Sequence, residues 1–246
     1  MHNTASVAKH DRADFAQEFL RRNANYRAAW AAFIDVQETP KPTQKTHAEA
    51  HYWGLVRLFD PDRPVQSAPA IWRADSASQI VSLTPVPANF PDAAPLPHAI
   101  SSADFVIDGA CHLVLDVAGV RHRLQVSATA KRAPLAILLP PLGDPLRAAA
   151  CDAARRMFAH LSPAEPALLM QPRVLQRQRL SLLLRVLDAS LAGASNRDIG
   201  VGIVYPWRKG TEALAWKASS ERRRVQRLIA EAHALAATGY RQLLKL

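Results

Sequence analysis

The chain has 246 residues, of which 49% are apolar and 21% are charged, a balance typical of a globular protein with a buried core. A formal net charge of +10 favours a polyanionic partner. Cys111 and Cys151 are the two cysteines, too few for a disulfide framework or a cysteine zinc site. Because the start lacks an apolar leader and no apolar run is long enough to span a membrane, we expect a cytoplasmic protein without a membrane partner.

The N-terminal part of the chain predicts a helical module over residues 1–80. Aromatic residues between Asp14 and Asp35 follow a helical repeat, with Asp11 or Asp14 as the N-cap. A second, short helix is predicted from His47 to Phe59, before a proline-rich turn. Five prolines between Thr84 and Pro97 favour extended backbone, so we predict a linker over residues 81–100.

Residues 101–170 predict a small α+β subdomain. Two Val- and Leu-rich segments, Cys111–Asp116 and Arg121–Ser127, flank a glycine turn and indicate a hairpin. The apolar run Leu135–Leu139 suits a buried strand. Asp144 can cap a helix that ends near His160. The predicted fold class is therefore α+β, mainly α.

The last region, residues 171–246, predicts a helix-turn-helix. Leucines at helical spacing indicate a helix over Val174–Leu191, and Gly193 ends it. Ser195 can cap the next helix, with Asp198 three positions later as a variant of the capping box. A short glycine-containing turn between two helices is the connection that helix-turn-helix units use. A final helix is predicted from Glu221 to about Ala237, capped by a preceding serine and ended by Gly239.

Nearly all of the excess positive charge lies in this last region. It holds 14 Lys and Arg residues against 5 Asp and Glu residues, whereas residues 1–170 are close to neutral. Such a distribution is expected when one region of a protein contacts a phosphate backbone. A solvated basic surface that only maintains solubility is the alternative interpretation.

The final helix carries the strongest indication of a DNA contact. Its apolar stripe centres near Val225, and Arg223 and Arg227 lie on the opposite side at 100° per residue. Two like charges at i and i+4 destabilise an isolated helix by a few tenths of a kcal/mol, so bound phosphates offer a reason for the pair. We interpret this helix as a recognition helix. The alternative is a surface helix whose arginines pair with Glu221 and Glu231.

Several motifs carry a resemblance to a known family. They are Gln176–Leu180, Leu187–Ala189, Gly193–Ile199, Trp216–Lys217 with Ser219–Ser220, Arg227–Leu228 and Gly239–Leu244. They resemble a proteobacterial helix-turn-helix family, long labelled a domain of unknown function, of integrative conjugative elements. Its members include activators of element excision and transfer, and antiactivators that bind them. The resemblance covers about residues 104–244. Where that family continues its second helix with Ala and ends in Phe-Gly, this chain has Gly200–Pro206.

A second resemblance covers the N-terminal region. Glu18–Asn23, Tyr26, Trp30, Trp53–Leu55, Asp60–Pro64 and Trp72–Arg73 are similar to a transcriptional-regulator-like domain often found before that family. This order implies the fused, activator type. It also implies double-stranded DNA as the partner. The N-terminal module would hold a second one, which is a second protomer, RNA polymerase or an antiactivator protein.

We therefore predict a sequence-specific DNA-binding transcriptional regulator. The predicted DNA contacts are Asn196, Arg197, Arg208, Lys209, Lys217, Ser219, Ser220, Arg222, Arg223, Arg224 and Arg227. A protein-binding module of the antiactivator type, which sequesters a regulator, is the alternative, and an RNA-binding protein is a further one. The role of Trp207, beside Arg208, is left open between a core residue and a nucleic-acid contact. Operator sequence, oligomeric state and effector are also left open.

Enzymatic and metal chemistry lack support in the sequence. It contains neither G-x-S-x-G nor a phosphate-binding loop, so we predict no catalytic residue and no cofactor. His47, Glu49 and His51 form H-x-E-x-H without a third ligand, and we predict no metal site. A non-enzymatic regulator is the expected class.

Overall fold

The computed structural model describes residues 10–36, 44–86, 93–96, 101–107, 109–130, 133–141, 143–162, 165–208, 216 and 219–245. The fold is α+β and mainly α, with about 52% of the chain helical and one five-stranded mixed sheet. This confirms the predicted fold class. In chain order the elements are α1 (Arg12–Leu20), α2 (Ala24–Val36), α3 (Gln44–Tyr52), β1 (Ile80–Pro85), β2 (Ser101–Ile107), β3 (Ala110–Val117), β4 (Val120–Ser127), β5 (Leu135–Leu138), α4 (Pro145–Phe158), α5 (Val174–Leu191), α6 (Asn196–Ile199), α7 (Ser220–Ala234) and α8 (Tyr240–Leu243).

The single helix predicted from Asp14 to Asp35 is wrong, because α1 and α2 are separate. Asp11 caps α1, since its side chain accepts the amide of Asp14 at 2.8 Å and the Asp14 side chain accepts the amide of Asp11 at 3.1 Å. The side chain of Asn23 accepts the amide of Tyr26 at 3.0 Å and so begins α2. A helical repeat of aromatic residues continues across this break, which is why the sequence pattern concealed it.

The second predicted helix also ends earlier than expected. Helix α3 stops at Tyr52 rather than at Phe59. Gly54 follows with a φ of +80°, a conformation that helices use at their ends. The backbone then leaves the helical direction, and Leu55 forms an isolated bridge with Trp72.

The sheet has the strand order β2-β3-β4-β1-β5. The predicted hairpin is confirmed as β3 and β4, whose turn places Ala118 and Gly119 at φ values of 49° and 80°. The structure also shows β1 and β2, which the sequence did not indicate. Strand β1 occupies the first part of the predicted 81–100 linker and pairs in parallel with β4 from Ile80 to Leu83. Residues 80–83 come before the first proline of the run, so each of them keeps the backbone N–H group that pairing with β4 requires.

Two large hydrophobic cores organise the described residues, and a third, small cluster contains Ile71 and Val114. The second core, between the sheet and α4, contains Val81, Leu124 and Ala150. The first core joins the two ends of the chain, since Phe15, Phe19 and Tyr26 belong to the same cluster as Leu183, Leu187 and Val225. Residues of the predicted 1–80 and 171–246 regions thus share one core, while the four-region division of the chain stays a prediction.

Helix α1 is almost entirely buried, and its acidic side chains are buried as well. Arg123 of β4 contacts Asp11 at 2.5 Å and Asp14 at 2.7 Å, and all three side chains are buried. Burial and the neighbouring Asp11 raise the pKa of Asp14 to about 6, against the opposing effect of Arg123 and Arg121. These ion pairs join α1 to the sheet.

A second charged group joins α1 to α5. Arg22 donates to Asp188 of α5 at 2.5 and 3.0 Å, and to Glu18 at 2.7 Å. Burial alone would raise the pKa of Glu18, but Arg22 and Arg21 outweigh it and hold that pKa below its usual value. Each buried charge on this side of α1 therefore has an oppositely charged partner.

Burial strongly perturbs His122 of β4. It lies opposite Leu115 on the sheet face that forms the second core. Burial lowers its pKa to about 4 from an ordinary value of 6.5, and the nearby Asp116 offsets only part of this effect. The folded protein therefore keeps the imidazole neutral at pH values where the unfolded chain protonates it.

This difference in proton binding predicts an acid sensitivity that a His122→Gln variant removes. The folded-state pKa is depressed, so the contribution of His122 to stability is complete above pH 6.5 and is lost as the pH falls towards 4. Between pH 7 and pH 4.5 the wild type should lose about 2 kcal/mol more of its free energy of unfolding than the variant. Urea unfolding at pH 7 and pH 4.5 measures both. Equal losses in the two proteins would contradict the assignment.

Candidate nucleic-acid interface

The predicted helix-turn-helix elements form in the last third of the chain. Helix α5 covers Val174–Leu191, as predicted, and Gly193 follows it at a φ of +82°. The predicted capping box is confirmed, because the Ser195 side chain accepts the amide of Asp198 at 3.2 Å and the Asp198 carboxylate accepts the amide of Ser195 at 3.3 Å. These local contacts fix the turn between α5 and α6.

Helix α6 is short, and a π-helical segment, Gly200–Val204, continues it. The reason lies at Gly200, where a Cβ atom would lie 2.2 Å from the Trp216 ring. Trp216 is buried in the first core, so the helix can accommodate it only with glycine at this position. The departure from the Ala-containing family pattern thus has a structural reason at Gly200. Gly202 has no such neighbour among the described residues, since nothing lies within 4 Å of a Cβ built there.

The two glycines give a matched pair of variants. Gly200→Ala should destabilise the protein by about 2 kcal/mol, because the methyl group overlaps the Trp216 ring. Gly202→Ala should be neutral or stabilising by up to about 1 kcal/mol, because alanine restricts the unfolded chain. Urea unfolding followed by tryptophan fluorescence measures both changes. Equal stabilities would show that the Trp216 contact does not determine the glycine at 200.

Helix α7 is the predicted recognition helix, and it begins at the predicted cap. The Ser219 side chain accepts the amide of Arg222 at 3.2 Å. Val225, Leu228 and Ala232 are buried on the side that packs against α5 and α6. The opposite side of the helix therefore faces solvent.

The predicted end of this helix at Gly239 is wrong. A π-helical segment, Leu235–Gly239, and then α8 continue it. Gly239 has a φ of −64°, an ordinary helical value. Tyr240 is buried and donates its hydroxyl to the carbonyl of Trp53 at 3.0 Å, so tertiary contact favours a helical backbone beyond the glycine.

The solvent side of α7 is basic. Arg223, Arg224 and Arg227 are exposed and Arg222 is half-buried. Within the described part of the chain, neither Arg223 nor Arg227 forms an ion pair. Glu231 instead pairs with Arg179 of α5 at 2.5 Å. Glu231 is therefore not the acceptor of the α7 arginines, which removes that half of the alternative and leaves only Glu221 in it. The exposed Arg223–Arg227 pair remains available to an anion.

The other predicted contacts differ in how the structure places them. Asn196 is half-buried and Arg197 is exposed on α6, which packs against α7. The Ser219 hydroxyl donates to the Trp216 carbonyl at 2.8 Å, and the Ser220 hydroxyl donates to Glu221 at 3.1 Å. Both hydroxyl protons are thus used within the protein. Lys209, Lys217 and the side chain of Arg208 lie outside the described residues.

An aromatic group stands beside the basic side of α7. Trp207 is 75% exposed, and its ring lies edge-on to Tyr205 with 5.6 Å between centroids. The guanidinium carbon of Arg224 lies 5.9 Å from the centre of the Tyr205 ring. The sequence pattern gives no indication of Tyr205 and does not decide the role of Trp207. The basic residues around position 207 were its only signal in the sequence.

The described residues contain neither a metal-binding group nor a membrane-spanning helix. No group of three or more His, Cys, Asp or Glu residues there is arranged to hold a metal ion. Glu49 accepts the indole N–H of Trp53 at 2.9 Å, a structural contact in the H-x-E-x-H segment. No helix in the same set is long and apolar enough to cross a membrane.

Two family models match the chain. Residues 132–245 match the family described as T6SS, Transcription factor, DNA binding domain, and residues 2–56 match the proteobacterial transcriptional regulator-like domain. A search of the curated proteins finds no match. The two matched domains indicate a DNA-binding transcriptional regulator and point to a non-enzymatic class of protein. The predicted resemblance is confirmed as far as a proteobacterial transcriptional regulator, and its link to integrative conjugative elements stays a prediction. The DNA-binding match contains all of α5, α6 and α7.

Proposed function

We propose that this protein is a site-specific DNA-binding transcriptional regulator that places α7 in the major groove. The observation that carries the proposal is the exposed Arg223–Arg227 pair, opposite the buried stripe of α7 and without an ion pair in the described residues. A helix fits the major groove, and arginine can donate two hydrogen bonds to guanine there. The family match to a DNA-binding domain supports the same partner.

The electrostatics of α7 favour DNA over a purely structural role. Arg223 and Arg227 lie on one side of the helix, about 6 Å apart along its axis. Their mutual repulsion weakens the free helix, and a phosphate backbone removes that repulsion and releases counterions. Arg222 and Arg224 extend the basic surface to either side, and the four arginines fall in the first two turns. These turns are the part of a recognition helix that contacts base edges.

The remaining predicted contacts belong to the same proposal. Asn196 and Arg197 contact DNA from α6, and Arg208, Lys209 and Lys217 contribute positive charge from the segment before α7. Ser219 and Ser220 lie at the start of α7, where phosphate oxygens approach a helix. The hydroxyl protons of both serines are used internally, and the amide of Ser219 donates to the Trp216 carbonyl at 3.1 Å. We therefore assign the contribution of this helix start to the remaining backbone amides of the first turn of α7.

The regulated genes are inferred from resemblance alone. We propose an activator, and the resembled family points to genes for excision and transfer of a mobile element. The description of the matched DNA-binding family contains the term T6SS. Promoters of T6SS genes are therefore a second set of targets to test. An activator acts in the cytoplasm and contacts RNA polymerase, or is held by an antiactivator. Sequencing of DNA fragments bound by the protein in its own cells distinguishes these targets.

The direct test reverses the charge of the exposed pair. Arg223→Glu with Arg227→Glu should weaken binding to the selected DNA site at least a hundredfold, because two phosphate contacts become two repulsions. The control is Arg63→Glu with Arg155→Glu, which makes the same change in net charge at exposed positions outside the last region. Fluorescence anisotropy measures both affinities, and circular dichroism verifies folding.

Two outcomes contradict the proposal. If the folded Arg223/Arg227 variant keeps wild-type affinity, α7 is not the DNA-binding element. If the control variant loses as much affinity, DNA binding depends on the net charge of the protein and not on a site at α7. Weak binding without sequence preference would instead favour the antiactivator-type module, and equal competition by RNA would favour an RNA-binding protein.

A further inference from the structure

Trp207 differs from every other tryptophan of the chain. Trp53, Trp72 and Trp216 are buried and Trp30 packs against the first core, whereas Trp207 is 75% exposed. A tryptophan side chain offers a large apolar surface, and leaving it in water gives up the stabilisation that burial provides. Tryptophan and tyrosine are enriched at interfaces for this reason, so an exposed indole beside a basic surface is a candidate contact.

Contacts with neighbouring residues fix the position of this indole. Tyr205 lies edge-on to it, with an angle of 88° between the rings, and Pro206 lies between them in a 3₁₀ turn, Pro206–Arg208. Arg224 lies over the Tyr205 ring. Around the helix Arg224 is about 60° from Arg227, so the aromatic pair borders the basic side of α7. A ligand that covers this basic side comes within reach of Trp207.

We propose that Trp207 is an apolar contact to double-stranded DNA at the edge of the groove that α7 enters. Its indole packs against a base or a deoxyribose, while Tyr205 supports the ring and holds Arg224 towards the phosphates. This inference rests on the proposed function, and it adds a contact that carries no charge. The surrounding arginines favour DNA over a protein surface, because their charge complements phosphate.

An apolar contact has a thermodynamic property that separates it from the arginines. A contact with a phosphate releases counterions, so loss of one arginine contact reduces the slope of log K against log salt by about 0.9. An aromatic contact releases none, and its loss lowers affinity equally at every salt concentration. The slope therefore shows which type of contact Trp207 makes.

The test uses the full chain and a fluorescein-labelled duplex selected by the wild type from random DNA. Trp207→Ala should weaken binding about tenfold with an unchanged salt slope, in line with losses of stacking contacts elsewhere. Trp207→Phe should stay within about threefold of the wild type, because it keeps a ring. Leu175→Ala is the matched control, since Leu175 is another exposed apolar side chain, at the start of α5. It should bind as the wild type does.

A second measurement does not depend on affinity. Exposed tryptophans emit at long wavelength, so the emission of the wild type should shift or be quenched on saturation with the duplex, and this change should be absent in Trp207→Phe. Binding by Trp207→Ala within twofold of the wild type, or a salt slope reduced by about 0.9, overturns this inference while the role of α7 stands. A wild type that binds all duplexes equally overturns the proposed function as well.

Discussion

The burial of charged residues on α1 is the constraint on which the rest of the fold depends. Asp11, Asp14 and Glu18 lie out of water, and such groups are tolerated only with charged partners. Arg123 on β4 and Arg22 provide them, and Arg22 also reaches Asp188 on α5. Removing one partner of a buried pair costs about 3–5 kcal/mol, which is a large share of the 5–15 kcal/mol that stabilises a typical domain. The position of α1 therefore determines where the sheet and α5 can lie.

This arrangement makes the N-terminal region part of the structure that supports the DNA-binding helices. Asn23 donates its side-chain amide to the carbonyls of Ala236 and Ala237 at 2.9 and 3.2 Å, and Tyr240 donates to Trp53. Both contacts hold the C-terminal continuation of α7. The arginine-bearing first turns lie at the other end, where the solvent side is exposed. One end of the helix is thus fixed by the protein, while the other presents its charge to a partner.

Local signals in the sequence predicted the elements that depend on neighbouring residues. The Ser195–Asp198 capping box, the hairpin turn at Gly119 and the spacing of leucines in α5 each act within a few residues, and each is confirmed. The elements that the sequence did not predict depend on contacts with residues far away in the chain. Strand β1 exists because it pairs with β4, and the helix after Gly239 continues because Tyr240 reaches Trp53. Helical periodicity predicted the arginine side of α7. The approach of Tyr205 and Trp207 to Arg224 is a tertiary contact, and no local pattern in the sequence predicts it.

DNA recognition by α7 is best tested by a salt titration of DNA binding with the intact protein. Labelled fragments from upstream of neighbouring genes would be compared by anisotropy, with random DNA as competitor. A site-specific regulator should bind one fragment at nanomolar concentration and resist the competitor. Its salt slope should be about −4 or steeper, since four arginines of α7 and the other basic residues neutralise several phosphates. Equal and weak binding to every fragment would contradict site-specific recognition.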